Sequence, residues 1–380
     1  MIYFDNAATT RTKPPEVAQA VVEAMTTFGG VGRGVHEASL DAGTTVFSAR
    51  SKISDLFGGP GAKQVAFCSN ATEALNTAIM GLLNFGDHAI TTAASHNSVL
   101  RPLFRARFEG KISLTIIPIA PDGSVDYEAF DEAFWGNTRL AVVTHASNLT
   151  GDVYDIERMA HIAHSHDALL IVDAAQTAGV IPIDMAKQGV DIVCFTGHKS
   201  LYGPQGTGGL CVAEGLEIIP LKVGGSGTHS FDKKHPSFMP ERLEAGTLNG
   251  HGIAGLLAGV EYVKDKGIDA IHDAAVALAD RFVGGVSDIA GVKVYGGGGM
   301  DRTGVVAINI GDTDSAMVAD MLSSEYGICT RAGAHCAPLM HEALGTEHQG
   351  AVRFSFSHFN TEEEVDEGIR AIAAIAKEIG

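Results

Sequence analysis

The segment Thr196-Gly197-His198-Lys199 sets a lysine, an imidazole and a hydroxyl at the end of the apolar, branched run 190–195. A glycine-rich turn, 203–209, follows, and 208–213 reads as a second buried strand. A lysine at the mouth of two buried strands has an amine in an apolar setting, which lowers its pKa and suits it to Schiff-base chemistry. The same long side chain can instead extend to solvent. Asp173 ends the apolar run 168–172 and is either a helix cap or a buried carboxylate in need of a cationic or N–H partner. Asn70 and Glu73 have capping-box spacing, so a helix begins there. Ala71 and Thr72 lie in its first turn, where free N–H groups and a hydroxyl offer an anion seat. His96 lies just past the strand 88–92, where open α/β sheets place their ligands. Cys336 sits between His335 and Ala337, after Arg331 and Gly333, in a polar loop that favours the thiolate. Cys68, Cys194, Cys211 and Cys329 lie in or beside apolar runs and read as structural. His161, His164 and His166 have no cysteine or acid placed to complete a metal set, so they read as a solvated helix face.

The chain that must position these groups has 380 residues, 45% of them apolar, enough for one large domain and a smaller one. Its net charge is −18, from 27 basic and 45 acidic side chains. That balance argues against nucleic acid and anionic membranes as partners. No apolar run reaches the ~18–20 residues of a membrane span, and the opening MIYFDNAATT predicts no secretory leader. Five cysteines without paired short spacing predict a reducing compartment, the cytoplasm.

Residues 1–14 read as an arm with a short strand at 2–4. Helix-like sequence covers 16–25, the glycine-rich 29–39 reads as a contact loop, and 41–57 as a long helix. Strands are expected at 64–68, 88–92, 112–118, 140–145, 168–172, 180–183, 190–195 and 208–213. Helices are expected from Asn70 onward, at 125–134 and at 155–165. This alternation predicts a mainly parallel sheet covered on both faces. Residues 221–249 lack periodicity. Helices at 251–266 and 269–286 then lead to a second α/β layer: strands 292–295, 304–309 and 351–356, a helix at 314–325, and a last helix capped by Thr361 and Glu364.

With these motifs in order from DNAATT to VRFSFSHFNTEEEVD, the chain resembles the cysteine desulfurases and selenocysteine lyase-like proteins. These are fold-type I pyridoxal phosphate (PLP) enzymes of the aminotransferase class V group. The resemblance implies an α/β fold: a large PLP-binding domain (15–250) with a mainly parallel mixed sheet between helices. A small domain would combine residues 1–14 with 251–380. It implies that Lys199 carries the cofactor as an imine and that Thr72, Thr196, His198 and the backbone of Ala71 hold its phosphate. Thr247 would reach the phosphate of a partner subunit. Asp173 would pair with the pyridinium nitrogen and Gln176 with the phenolic oxygen, with Asn148 near the substrate. His96 would stack on the ring as a candidate acid/base, Arg353 would clamp the substrate carboxylate, and Cys336 would take up sulfur. Arg33 and His36, in GRGVH, would approach the substrate or the partner subunit; Gly32 stands where such proteins often have histidine. RAGAHC resembles the subgroup whose cysteine lies in a short ordered segment. GGSGTHSF, at 224–231, has no counterpart in the pattern and would shape either the cleft or a dimer contact.

The resemblance thus implies a homodimer with shared active sites, acting on a small amino acid and passing sulfur from Cys336 to an acceptor, in some cases a protein. L-Cysteine would yield L-alanine. The alternatives are a selenocysteine lyase, another C–S lyase or epimerase, and a non-catalytic sulfur-relay scaffold, against which Lys199, Asp173 and the phosphate residues argue.

Overall fold

A computed structural model describes residues 1–32 and 34–379. The chain opens with strand β1 (Ile2–Tyr3), helix α1 (Pro15–Thr27), whose first-turn proline needs no amide hydrogen, and α2 (Glu37–Leu56). Strands and helices then alternate: β2 (Val65–Cys68), α3 (Ala71–Leu82), β3 (Asp87–Thr92), α4 (Asn97–Phe108), β4 (Ile112–Ile117) and α5 (Tyr127–Glu132). Next come β5 (Thr138–Thr144), β6 (Asp152–Val153), α6 (Ile156–Ser165), β7 (Leu169–Asp173), α7 (Met185–Gln188), β8 (Ile192–Thr196) and β9 (Gly208–Val212). Seven of these strands form one sheet in the order β2-β9-β8-β7-β5-β3-β4. Only β9 runs against the others, so the sheet is mixed but mainly parallel. Burial on both faces explains why β8 and β9 are continuous apolar runs.

One face of the sheet packs on Ile53 of α2, Phe130 of α5 and Met159 of α6; helix α8 (Gly250–Lys266) adds Ile253 and Leu256 to the same core. The other face is covered by Leu75 and Ile79 of α3 and by Val99 and Leu103 of α4. The C-terminal layer contains α9 (Ile268–Val286), β10 (Val292–Tyr295), β11 (Asp301–Arg302), β12 (Val305–Ile310), α10 (Ser315–Tyr326), β13 (Ile328–Cys329), α11 (Pro338–Leu344), β14 (Val352–Ser355) and α12 (Glu362–Ile379). Its antiparallel sheet, β10-β12-β14, shares a core of Phe282, Ile308, Phe354 and Ile372. Phe4 joins that core and β1 pairs with β13, so the N-terminal arm belongs to this layer.

Four local expectations change. Residues 97–108 form a helix that the sequence did not announce, because Pro102 lies inside it. Residues 180–183 are a turn, not a strand; Val180 and Ile181 are apolar because they pack, while their amides both bond to Thr177 O. The 29–39 loop is shorter than expected, since α2 already begins at Glu37. The expected capping box closes in both directions at α12, between Thr361 and Glu364. At α3 it closes halfway: Glu73 N donates to Asn70 Oδ1 (3.0 Å), but the Glu73 carboxylate accepts from Ser69 N (2.9 Å).

Candidate active site

The C-terminal ends of β3, β5, β7 and β8 open onto one cleft of about 220 Å³, at the strand ends where open α/β sheets bind ligands. Ala71, Thr72, His96, Asn148, Asp173, Gln176, Thr196, His198, Lys199 and Arg353 all line it. Residues up to 282 positions apart in sequence therefore meet because parallel strands deliver their last side chains to one edge.

Lys199 follows β8, and the N-terminal arm fixes its backbone. Thr10 Oγ1 donates to Lys199 O (2.7 Å), and Lys13 Nζ donates to His198 O (2.7 Å). Burial is the main force lowering the Lys199 pKa, to about 8; Asp173 opposes the shift, while Arg353 and Arg331 reinforce it. Its amine thus has a sizeable neutral, nucleophilic fraction near neutrality. Asp173 is buried, and its pKa is raised by burial, against the Ala175 N–H bond (2.9 Å) and the Lys199 charge. A buried carboxylate with one backbone donor retains acceptor capacity for a cation.

His96 caps α4. Its Nδ1 accepts from Ser98 N (3.0 Å), which leaves the proton of the neutral ring on Nε2. Burial, then the charges of Lys199, Arg331 and Arg353, push its pKa down to about 4. At neutral pH this ring is uncharged, which suits stacking. His198 is likewise pushed down to about 4, by burial and by Lys199 and Lys13, and its Nδ1 lies 3.1 Å from Thr9 Oγ1.

The seat at the N-terminus of α3 carries Thr72, whose Oγ1 lies 2.7 Å from Ser98 Oγ. Thr196 Oγ1 is buried with no partner among the described residues. An orphaned hydroxyl, a helix N-terminus, a neutral imidazole and a second hydroxyl suit a phosphate. Together with the Lys199 amine and the Asp173 carboxylate, this donor set fits pyridoxal phosphate. Gln176 Nε2 donates to Ala7 O (3.2 Å) from the wall of the same cleft.

At the other end, Arg353 is almost fully buried on β14. Its NH1 donates to Asn148 O (2.9 Å), its NH2 to Asp5 Oδ1 (2.9 Å), and its Nε has no partner among the described residues. Asn148 Nδ2 in turn donates to His335 O (2.8 Å). Cys336 is half-buried and does not line the cleft, but its carbonyl accepts from Asn97 N (2.8 Å), directly after His96. His335 and Cys336 both have positive φ, +51° and +57°, a left-handed pair costing roughly 1–2 kcal/mol per residue. The segment is held there by Asn97, by Asn148, by His335 Nε2 on Arg331 O (3.1 Å) and by the His335–His341 contact (3.5 Å). Cys336 is thus set in an ordered turn at the rim.

Besides Cys336, two expected residues, His36 and Thr247, do not line the cleft. His36 is exposed, with its ring 3.3 Å from Ser39 Oγ. It stands at the N-cap position of α2, outside the lining of its own cleft. Thr247 lies in a separate depression with Glu73, Lys222 and Glu244. Arg33 lies outside the described residues. Conversely, Ser98, Arg331, Ala7 and Ala8 line the cleft and Asp5 pairs with Arg353, although none was singled out. Ser98 is hidden behind the unannounced α4. The one available signal for Asp5 was its place in DNAATT.

A mixed, mainly parallel sheet with a lysine, an aspartate and an anion seat at its strand ends defines a PLP enzyme of fold type I. The sequence profile of the aminotransferase class-V family matches residues 2–367, and the chain belongs to that family. It is similar to a probable cysteine desulfurase from Methanothermobacter thermautotrophicus, 34% identical over 377 residues, covering 96% of this chain and 92% of that protein. It is also similar to a cysteine desulfurase from Escherichia coli, 32% identical over 391 residues and covering 100% and 94%. Among solved structures, an apo cysteine desulfurase from Thermococcus onnurineus superposes with a TM-score of 0.93 at 32% identity, covering 100% and 95% of the two chains.

Proposed function

We propose that the protein is a cysteine desulfurase: it converts L-cysteine to L-alanine and holds the released sulfur as a persulfide on Cys336. The observation that carries this reading is the joining of two parts. Lys199, Asp173 and Arg353 share one cleft, and the ordered Cys336 turn is hydrogen-bonded to its rim through Asn97. Thr72, Thr196, His198 and the amides at Ala71 are the groups to hold the phosphate of PLP. Asp173 is the partner for its ring nitrogen, and Gln176 for its phenolic oxygen. When bound, that cofactor supplies an electron sink for charge developing at the substrate Cα.

The chain's own residues do the rest. Arg353 keeps three N–H groups beyond those given to Asp5 and Asn148, enough to orient a carboxylate through two of them. Lys199 Nζ, neutral in part at pH 7, takes the Cα proton and returns it. Cys336 Sγ forms an S–S bond to the substrate sulfur as the Cβ–S bond breaks. The Cys336 proton balances the alanine released. Discharge follows by thiol–disulfide exchange with an acceptor thiol.

The reading includes a homodimer in which Thr247 completes the partner's phosphate seat. Its separation from its own cleft supports this, as do the exposed apolar side chains Ile219 and Val223, which precede the 224–231 segment, and Phe231, which ends it. It also includes a cytoplasmic setting, in keeping with five free cysteines.

The test is to incubate the PLP-loaded protein separately with L-cysteine, L-selenocysteine and L-cystine, then quantify alanine, pyruvate and alkylated persulfide. Alanine with a persulfide on Cys336, lost in Cys336→Ser while the cofactor absorbance is kept, is the expected result. Pyruvate as the main product, or turnover confined to L-selenocysteine, refutes the reading in favour of a lyase.

A further inference from the structure

Helix α4 begins at the Cys336 turn, where Asn97 N donates to Cys336 O, and runs away from it for about 16 Å. Its buried side is Val99, Leu103 and Ala106. The opposite side presents Arg101, Phe104, Arg105 and Phe108, at positions that share one helix face. Phe104 and Phe108 stack on each other (5.9 Å, 13°), yet Phe108 remains 81% exposed. Phe85, itself 85% exposed, continues this surface: the next residue, Gly86, donates its N–H to Lys111 O just beyond the helix.

The charge is equally out of place. Residues 85–111 carry Arg101, Arg105, Arg107 and Lys111 against two acids, Asp87 and Glu109, the latter paired with Arg105 (2.8 Å), in a chain of net charge −18. An aromatic, arginine-bearing surface is the composition of a binding patch, not of a solvated face. A basic patch on an acidic protein attracts a partner of opposite sign, while the rest of the surface repels that partner from other orientations.

We propose that this face of α4 docks an acidic protein carrying an exposed thiol, and that the docked partner discharges the persulfide of Cys336. The inference rests on the desulfurase reading above. The acceptor thiolate attacks the outer sulfur of the Cys336 persulfide, the S–S bond to Cys336 breaks, and Cys336 leaves as the thiolate. The acceptor becomes the persulfide, and no outside oxidant or reductant enters. Arg101, about 6 Å along the axis from Asn97, guides the acidic surface to the turn, and the three phenylalanines provide the apolar contact.

The test uses the PLP-loaded enzyme, pre-charged with L-cysteine, and two synthetic peptides of equal length. Each bears one cysteine; one is rich in Asp and Glu, the other in Lys. Single-turnover discharge of the Cys336 persulfide is followed by alkylation and mass spectrometry. The acidic peptide is expected to react at least tenfold faster at low ionic strength, with the advantage lost in 0.5 M NaCl. Arg101→Glu with Arg105→Glu is expected to reverse the order, and Phe108→Ser to slow the acidic peptide alone. Discharge by dithiothreitol, which needs no docking, stays as in the wild type and shows that the variants are folded; Phe108→Ser carries the test if the double variant is not. Equal rates for the two peptides, or an unchanged order in the double variant, overturn the proposal. So does a change in sedimentation of that variant, which would mean that a second copy covers this face. A wild type that forms no persulfide fails earlier, at the desulfurase reading itself, and removes the proposal with it.

Discussion

Replacing Arg353 by lysine keeps the charge of the carboxylate-binding group but removes its geometry. The guanidinium has five N–H groups, of which one goes to Asn148 O and one to Asp5 Oδ1. Three remain, so a substrate carboxylate can receive two bonds. A lysine that keeps the same two neighbours has one N–H left. The substitution thus removes one charge-assisted hydrogen bond to substrate, worth about 1.5–3 kcal/mol. That corresponds to a rise in KM for L-cysteine of roughly 10- to 150-fold, with a smaller change in kcat, because the carboxylate is held alike before and during the reaction. The assay is the initial rate of alanine formation against L-cysteine concentration, with L-cysteine ethyl ester as the control. The ester has no carboxylate, so its kcat/KM should be nearly the same in both proteins. An unchanged KM for L-cysteine, or an equal loss for acid and ester, would show that Arg353 only braces Asp5 and Asn148.

Three further outcomes follow from the same geometry. Capture of PLP by the apo protein, fixed with borohydride, should rise with pH and level off just above about 8, where Lys199 is neutral; a rate still climbing at pH 10 contradicts the lowered amine. His145 is buried beside Thr177, and burial pushes its pKa down to about 3, so between pH 6.5 and 3 the unfolded chain binds more protons than the fold and stability falls as pH falls. The slope from this group is about 1.4 kcal/mol per pH unit, and His145→Gln should flatten the dependence of the urea midpoint on pH between 6 and 5; identical slopes would sink the argument. Arg50 and Glu244 form a buried bidentate pair (2.7 Å on both arms), and Glu244 also accepts from Phe67 N (2.7 Å). Arg50→Met should cost about 3–5 kcal/mol in urea unfolding, and a loss under ~1 kcal/mol would show that the unpaired carboxylate finds water.

Much of the architecture was legible in the sequence for one reason: strands buried on both faces, such as β7 and β8, are continuous apolar runs and cannot be mistaken for surface. The polar residue that ends each run marks the cleft edge, which is how Asp173 and the Thr196–Lys199 segment stood out. The pattern failed where two signals conflict. Pro102 masked α4, and with it Ser98. The apolar stretch at 180–183 packs without pairing, and periodicity does not distinguish the two.

The sequence by itself determined which groups this protein has for chemistry, and in what order: the amine of Lys199, the carboxylate of Asp173, the guanidinium of Arg353 and the thiol of Cys336. Those are properties of residue type and of local apolar pattern. Only the tertiary structure decided their working states. The approach of Asp5 and Asn148 to Arg353, the arm bonds that fix Lys199 and the tether from Asn97 to the strained Cys336 turn all join segments far apart in the chain. The lowering of Lys199 and His96 is likewise set by burial and by charges from other elements. Desolvation and Coulomb terms depend on distance in space, and one-dimensional spacing does not contain that distance.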